Sequence, residues 1–158
     1  MPIQKASLVV FAFLAGLLLS VAGPSKVWAV EKIIYMQAME PKGTTSVKKE
    51  PFTGNTLPAG GGYVIKPPTK AGKWQVSTYV FSPSQVIVRK GDRVTLKILG
   101  LNGAKHTVTI KDLHPQLFII KRGLITSVSF TAKKAGSFQI VCAEHPPSMT
   151  GEIIVLDR

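Results

Sequence analysis

Cysteine, histidine and acidic side chains are all scarce in this chain, which has one Cys, three His and eight Asp+Glu among 158 residues. A lone cysteine excludes an internal disulfide framework and any zinc cage that needs two or more thiolates. Three histidines are too few for a multicopper oxidase or a binuclear hydrolase rich in imidazole ligands. The length leaves no room for a second catalytic domain of ordinary size. No apolar run reaches the ~20 residues of a membrane span. A helical stripe is also missing, and there is no internal repeat.

What is present begins with residues 8–22, LVVFAFLAGLLLSVA, with Lys5 the only charge before Lys26. This pattern suits the apolar region of a secretory signal peptide, and an uncleaved anchor is the competing reading. Either one makes residues 1–29 a targeting or anchoring segment and delivers the rest to the periplasm or another extracytoplasmic space. Loss of Lys5 and Lys26 would lower the net charge only from +12 to +10, so the exported part stays strongly basic. Residues 30–73 read as an arm or linker, because from Pro41 the composition shifts to Pro, Gly, Thr and Lys. Within it, residues 31–39 have the texture of a short strand, and 63–65 of an edge strand.

From Trp74 to the end, short runs of Val, Ile, Thr and Phe alternate with turn signals, which is an all-β pattern. The expected strands are 75–81, 85–89, 93–99, 107–110, 126–131, 137–141 and 152–156. Hairpin turns are expected at Gly91-Asp92 and Ala135-Gly136. Val94, Leu96 and Ile98 alternate with Arg93, Thr95 and Lys97, as a half-buried strand requires.

The chemistry concentrates in residues 142–149, Cys-Ala-Glu-His-Pro-Pro-Ser-Met. Period-2 alternation puts Phe138, Ile140 and Cys142 on one strand face, so the thiol points into the fold at a strand end. The loop that follows can return His145 and Met149 to the same point, and His106, after the turn at 101–105, adds a second imidazole. Two His, one Cys and a distant Met form the donor set that selects copper and supports electron transfer. Met149 is open to a packing role as well. His114 reads as a surface or loop histidine, and Glu144 as solvated or as a local hydrogen-bond acceptor. Trp74 reads as packing, and Met36 and Met39 are too few to define a copper-handling arm. Pro146 and Pro147 stiffen the loop and remove two backbone donors. The Thr107 N–H is a candidate donor to the Cys142 sulfur.

Residues 74–158 resemble a cupredoxin, closest in pattern to the cupredoxin domains of nitrous-oxide reductase and cytochrome oxidase subunit II. The resemblance rests on Phe81-Ser-Pro-Ser-Gln-Val-Ile-Val-Arg-Lys-Gly-Asp92, Lys105-His-Thr-Val-Thr-Ile110, Phe130-Thr-Ala-Lys-Lys-Ala-Gly-Ser-Phe138 and the loop from Cys142. It implies a Greek-key β-sandwich or barrel. Those relatives build a binuclear centre on a C-x3-C-x3-H-x2-M loop, whereas this chain has C-x2-H-x3-M, which excludes a thiolate-bridged pair of metals. The resemblance therefore implies one mononuclear type 1 copper ion, with His106, Cys142 and His145 equatorial and Met149 axial. His145 would serve as the electron port at the surface. The expected function is one-electron transport without catalysis. The expected partner is a redox protein with an acidic docking face, such as a c-type cytochrome or a terminal oxidase subunit. Membrane association through the N-terminus is compatible with this, and nucleic acid is not an expected partner. The alternative is a copper delivery or assembly protein for an oxidase.

Overall fold

The computed structural model describes residues 29–53 and 61–157. Apart from Ala29, the segment expected to target or anchor the chain lies outside the described residues. No helix among the described residues is long and apolar enough to cross a membrane.

Among the described residues, twelve strands form three sheets. The first sheet takes β1 (Glu31–Met39), β5 (Val80–Ser82), β7 (Arg93–Gly100) and β10 (Ile125–Thr131), in the order β10-β7-β1-β5. The second takes β6 (Gln85–Arg89), β8 (Lys105–Ile110), β9 (His114–Lys121), β11 (Gly136–Cys142) and β12 (Thr150–Leu156), in the order β6-β12-β11-β8-β9. A smaller sheet combines β2 (Lys42–Ser46), β4 (Lys73–Thr78) and β3 (Tyr63–Lys66). The all-β expectation holds.

The core is one cluster drawn from both large sheets. Val94, Leu96 and Ile98 of β7 meet Val128 and Phe130 of β10 and Met36 and Ala38 of β1, against Val108, Ile110, Phe138, Ile140 and Ile153 of the second sheet. The alternation read from β7 is the burial alternation observed. Each fully buried Leu or Ile contributes ~1.5–3 kcal/mol by leaving water, before its conformational entropy is charged against it.

Three features depart from the sequence reading. The segment read as an arm contributes β1, an inner strand paired in parallel with β7 from Glu31↔Arg93 to Ala38↔Gly100 and antiparallel with β5. Gly91-Asp92 and Ala135-Gly136 do not close hairpins. They carry the chain from one sheet to the other, because β6 and β11 lie in the second sheet while β7 and β10 lie in the first. The connection containing His114 forms an eight-residue strand, β9, at the edge of the second sheet. Pro115 is tolerated there because an edge strand can spare one backbone donor.

The smaller sheet has its own packing. Trp74 is buried, meets Phe52 edge-on at 5.5 Å between ring centroids, and donates its indole N–H to the Glu50 carbonyl at 3.0 Å. This is the packing role expected for Trp74. Met36 belongs to the main core, so it is not part of any exposed arm.

Candidate metal centre

The β-strand period brings the donors together. His106 lies on the inward face of β8 with Val108 and Ile110, and Cys142 ends β11 on the inward face with Phe138 and Ile140. Both side chains are fully buried. The loop after Cys142 folds back on two backbone bonds, Cys142 N–H to the Met149 carbonyl at 3.1 Å and Met149 N–H to the His145 carbonyl at 2.9 Å. His145 thereby returns to the thiol, and Met149 is buried at the same end.

The Cys142 sulfur lies 3.8 Å from His106 Nδ1 and 3.5 Å from His145 Nδ1. The three ligand atoms lie within 4.8 Å of one another, a group that could hold a metal ion. His114 stands apart, its Nδ1 against the Gln116 carbonyl at 3.1 Å and its ring edge-on to Phe118.

Second contacts prepare the donors. The Asn102 carbonyl accepts from His106 Nε2–H at 3.0 Å, which fixes the tautomer and leaves the Nδ1 lone pair facing the sulfur. Burial, and then the neighbouring His106, hold the His145 pKa below its usual value, which favours the neutral ring. Burial pushes the Cys142 thiol up to about 11, and the adjacent Glu144 carboxylate adds to the rise. A thiol must lose its proton to bind metal, so uptake here releases one.

Glu144 is a local hydrogen-bond acceptor. One oxygen accepts from the Thr107 N–H at 2.7 Å and the other from the Thr107 hydroxyl at 2.6 Å. Burial alone would raise its pKa, but these bonds outweigh it and hold the group at about 2. The Thr107 N–H is thus committed to Glu144 and not to the sulfur, which corrects the sequence expectation. The thiol itself faces Glu144 Oε2 at 3.3 Å.

Sequence reading missed three residues here. Tyr79 stacks on His145 with ring centroids 3.6 Å apart and 16° between planes, and stands edge-on to His106 at 5.6 Å. Asn102 and Glu40 form the contacts behind the two rings. Tyr79 shares a strand-face spacing with the core residue Phe81, but no motif marks it. Glu40 stands at the end of the expected 31–39 strand, just before the linker-like composition begins at Pro41, and no motif marks it.

The sequence pattern of the cupredoxin-like domain matches residues 68–155. No curated protein matches the chain. Among solved structures, a copper nitrite reductase from Nitrosomonas europaea is similar at a TM-score of 0.52 and 17% identity, over 81% of this chain and 42% of that one. The multicopper oxidase mgLAC is similar at 0.52 and 16%, over 82% of this chain and 40% of that one. Auracyanin A, a blue copper protein from Chloroflexus aurantiacus, aligns at 0.41 and 19%, over 49% of this chain and 89% of that one. The chain thus spans about two fifths of each of the two enzymes, and these likenesses concern the fold. The class is a β-sandwich with a His-Cys-His group at one end. The chain belongs to the cupredoxin-like domain family.

Proposed function

We propose that the protein is an exported one-electron carrier in which His106, Cys142 and His145 would hold a single copper ion, with Met149 as a further, weaker donor. One observation carries the proposal: a thiol and two imidazole Nδ1 atoms converge in a buried pocket at the end of a rigid sandwich. Two imidazoles and a thiolate suit copper better than the hard cations that prefer oxygen. When bound, copper supplies a one-electron Cu(I)/Cu(II) couple.

The chain's own residues do the remainder. The Asn102 carbonyl holds the Nε2 proton of His106, so Nδ1 is free to donate. Tyr79 covers one face of His145, and the closed loop limits how far that ring can move. A site that changes shape little between oxidation states needs little reorganisation per electron. Full burial of Cys142 and His106 supports retention of the metal over hand-over to another protein. Among the described residues, no second group of this kind accompanies the first, which supports a carrier over an enzyme.

Basic side chains at the same end support an acidic partner, either a c-type cytochrome or a terminal oxidase subunit outside the cytoplasm. Lys105 precedes His106 and pairs across strands with Lys121, and Arg122 Nε donates to the Gly103 carbonyl at 3.0 Å.

The test is the visible spectrum of the Cu(II)-loaded protein. An intense thiolate-to-copper band is expected, lost on reduction and absent in Cys142→Ser with the β-fold kept. A Cys142→Ser protein that retains the band overturns the assignment.

A further inference from the structure

Behind the two imidazoles lie contacts that lead to a single residue, Glu40, at the end of β1. Its backbone is clamped by the Asn102 side chain, Asn102 Nδ2–H donating to the Glu40 carbonyl at 2.9 Å and Asn102 Oδ1 accepting from the Glu40 N–H at 2.5 Å. The carbonyl of that same Asn102 holds His106 Nε2–H. The Glu40 carboxylate, 10% exposed, meets Lys42 Nζ at 2.9 Å and accepts hydrogen bonds from Ser77 and from the Tyr79 hydroxyl. Tyr79 in turn lies flat on His145.

We infer that Glu40 is a positioning residue for the metal group, its carboxylate orienting His145 through Tyr79 while its backbone holds the Asn102 turn over His106. The inference rests on reading that group as a metal centre. One residue from the segment upstream of the ligand-bearing strands therefore reaches both rings, through its carboxylate on the His145 side and through its backbone on the His106 side. A carboxylate that accepts from three side chains fixes the Tyr79 hydroxyl in one place. A stacked ring anchored at its far end cannot slide over its neighbour.

A simpler role would be to pair with Lys42 and pin β2. The Lys42 side chain is 63% exposed, and an ammonium in water gains little from such a pair. A buried carboxylate, by contrast, needs its full set of donors. The contacts to Tyr79 and Ser77 meet that need, and only the first of these leads to a metal donor.

The loss of an outer partner of a metal-bound histidine typically costs ~10–100-fold in metal affinity. Glu40→Ala and Tyr79→Phe are each expected to weaken Cu(I) binding about tenfold against a competing chelator. The double variant is expected to lose no more than either single one, because both cut the same link. Glu40→Gln keeps an acceptor for the Tyr79 hydroxyl and is expected to recover most of the loss. The readout that needs no metal is proton NMR of the His145 ring in the metal-free protein. Stacking under Tyr79 shifts those resonances upfield, and Tyr79→Leu gives the value without the ring. Glu40→Ala and Tyr79→Phe should each move the shift toward the Tyr79→Leu value.

Unchanged His145 resonances in both variants, with only a lower unfolding temperature, would overturn the inference and leave Glu40 as a strand pin. If Glu40→Ala does not fold, Tyr79→Phe decides alone, since it removes one oxygen. If the wild-type protein takes up no copper, the proposed function fails, while the metal-free NMR still decides whether Glu40 orients His145.

Discussion

Asp92 is the second carboxylate that the fold withdraws from water, and it holds the sandwich together far from the metal group. Its side chain is 4% exposed, with Lys32 Nζ at 3.0 Å, and it accepts from the Arg89 N–H at 2.9 Å. Burial pushes its pKa up, but the Arg89 N–H and the Lys32 ammonium outweigh that and hold it below the ordinary value of 3.8. A carboxylate depressed in the folded state stabilises the protein above its unfolded pKa, and that stability is lost as pH falls through the folded value. Asp92→Ala leaves Lys32 without its buried partner and is expected to cost about 3 kcal/mol at neutral pH. The loss should shrink as the pH drops below about 4. Chemical denaturation of both proteins across a pH series measures this, and a pH-independent difference would show that the cost is packing alone. The grouping of His106, Cys142 and His145 was legible at this scale because Cys and His are rare and their spacing is tied to strand ends. Glu40, Tyr79 and Asn102 were not, because each acts through a contact between segments distant in sequence, such as the one joining residues 40 and 102.

The strands of the second half were readable because alternation survives wherever one face is buried, as in β7 and β10. β9 escaped because its pattern is reversed at an edge: Leu117 and Ile119 face solvent and Ile120 alone is deeply buried. β1 was seen as a strand but not as an inner one, since which strand it pairs with is decided by β7 and β5 and not by its own nine residues. The sheet crossings at Gly91 and Gly136 carry the same residue types as hairpin turns, so composition could not distinguish them.

A further joint between elements lies at Gly62, just before β3. The Gly62 carbonyl accepts from the Tyr79 N–H at 2.9 Å and from the Ser148 hydroxyl at 2.8 Å. The Ser148 N–H reaches the Gly61 carbonyl at 3.3 Å. Gly62 has φ +70°, and a Cβ there would collide with Ser148 Oγ and the His145 carbonyl. Gly62→Ala is therefore expected to cost about 1–3 kcal/mol and to loosen the 143–149 loop more than the core. Hydrogen exchange at Ser148 and Met149 amides should accelerate, while Leu96 and Ile98 stay protected. Uniform acceleration over the whole chain would mean global destabilisation without a joint between the smaller sheet and the loop.

For the molecule as a whole, 20 Lys+Arg against eight Asp+Glu set a positive field over most of the surface. Such a field raises encounter rates with an acidic partner and is screened beyond ~8 Å at physiological salt. Electron-transfer rates with an acidic cytochrome should fall steeply along a salt series, and Lys105→Glu should flatten that slope. A rate independent of salt, with Lys105→Glu neutral, would leave the lysines as a solubility device. Three carboxylates are held ionised by the fold: Glu40, Asp92 and Glu144 are each shifted to lower pKa, against their desolvation, by donors fixed around them. A protein with few acids, three of them locked in this way, has little to lose on moderate acidification.

The direction of β1 has a consequence for how the molecule is held. The strand starts beside Arg93, whose N–H meets the Val30 carbonyl, and finishes where the Ala38 carbonyl meets the Leu101 N–H, next to the Asn102 turn over His106. Nine extended residues at roughly 3.3 Å each set these two points about 26 Å apart. Val30 therefore stands at the heel of the sandwich, and the toe with the His-Cys-His group points the other way. A leash fastened upstream, to a lipid surface or to a larger assembly, would leave the donor end swinging free and facing outward. The same leash fastened at the opposite pole would press that end against its own support.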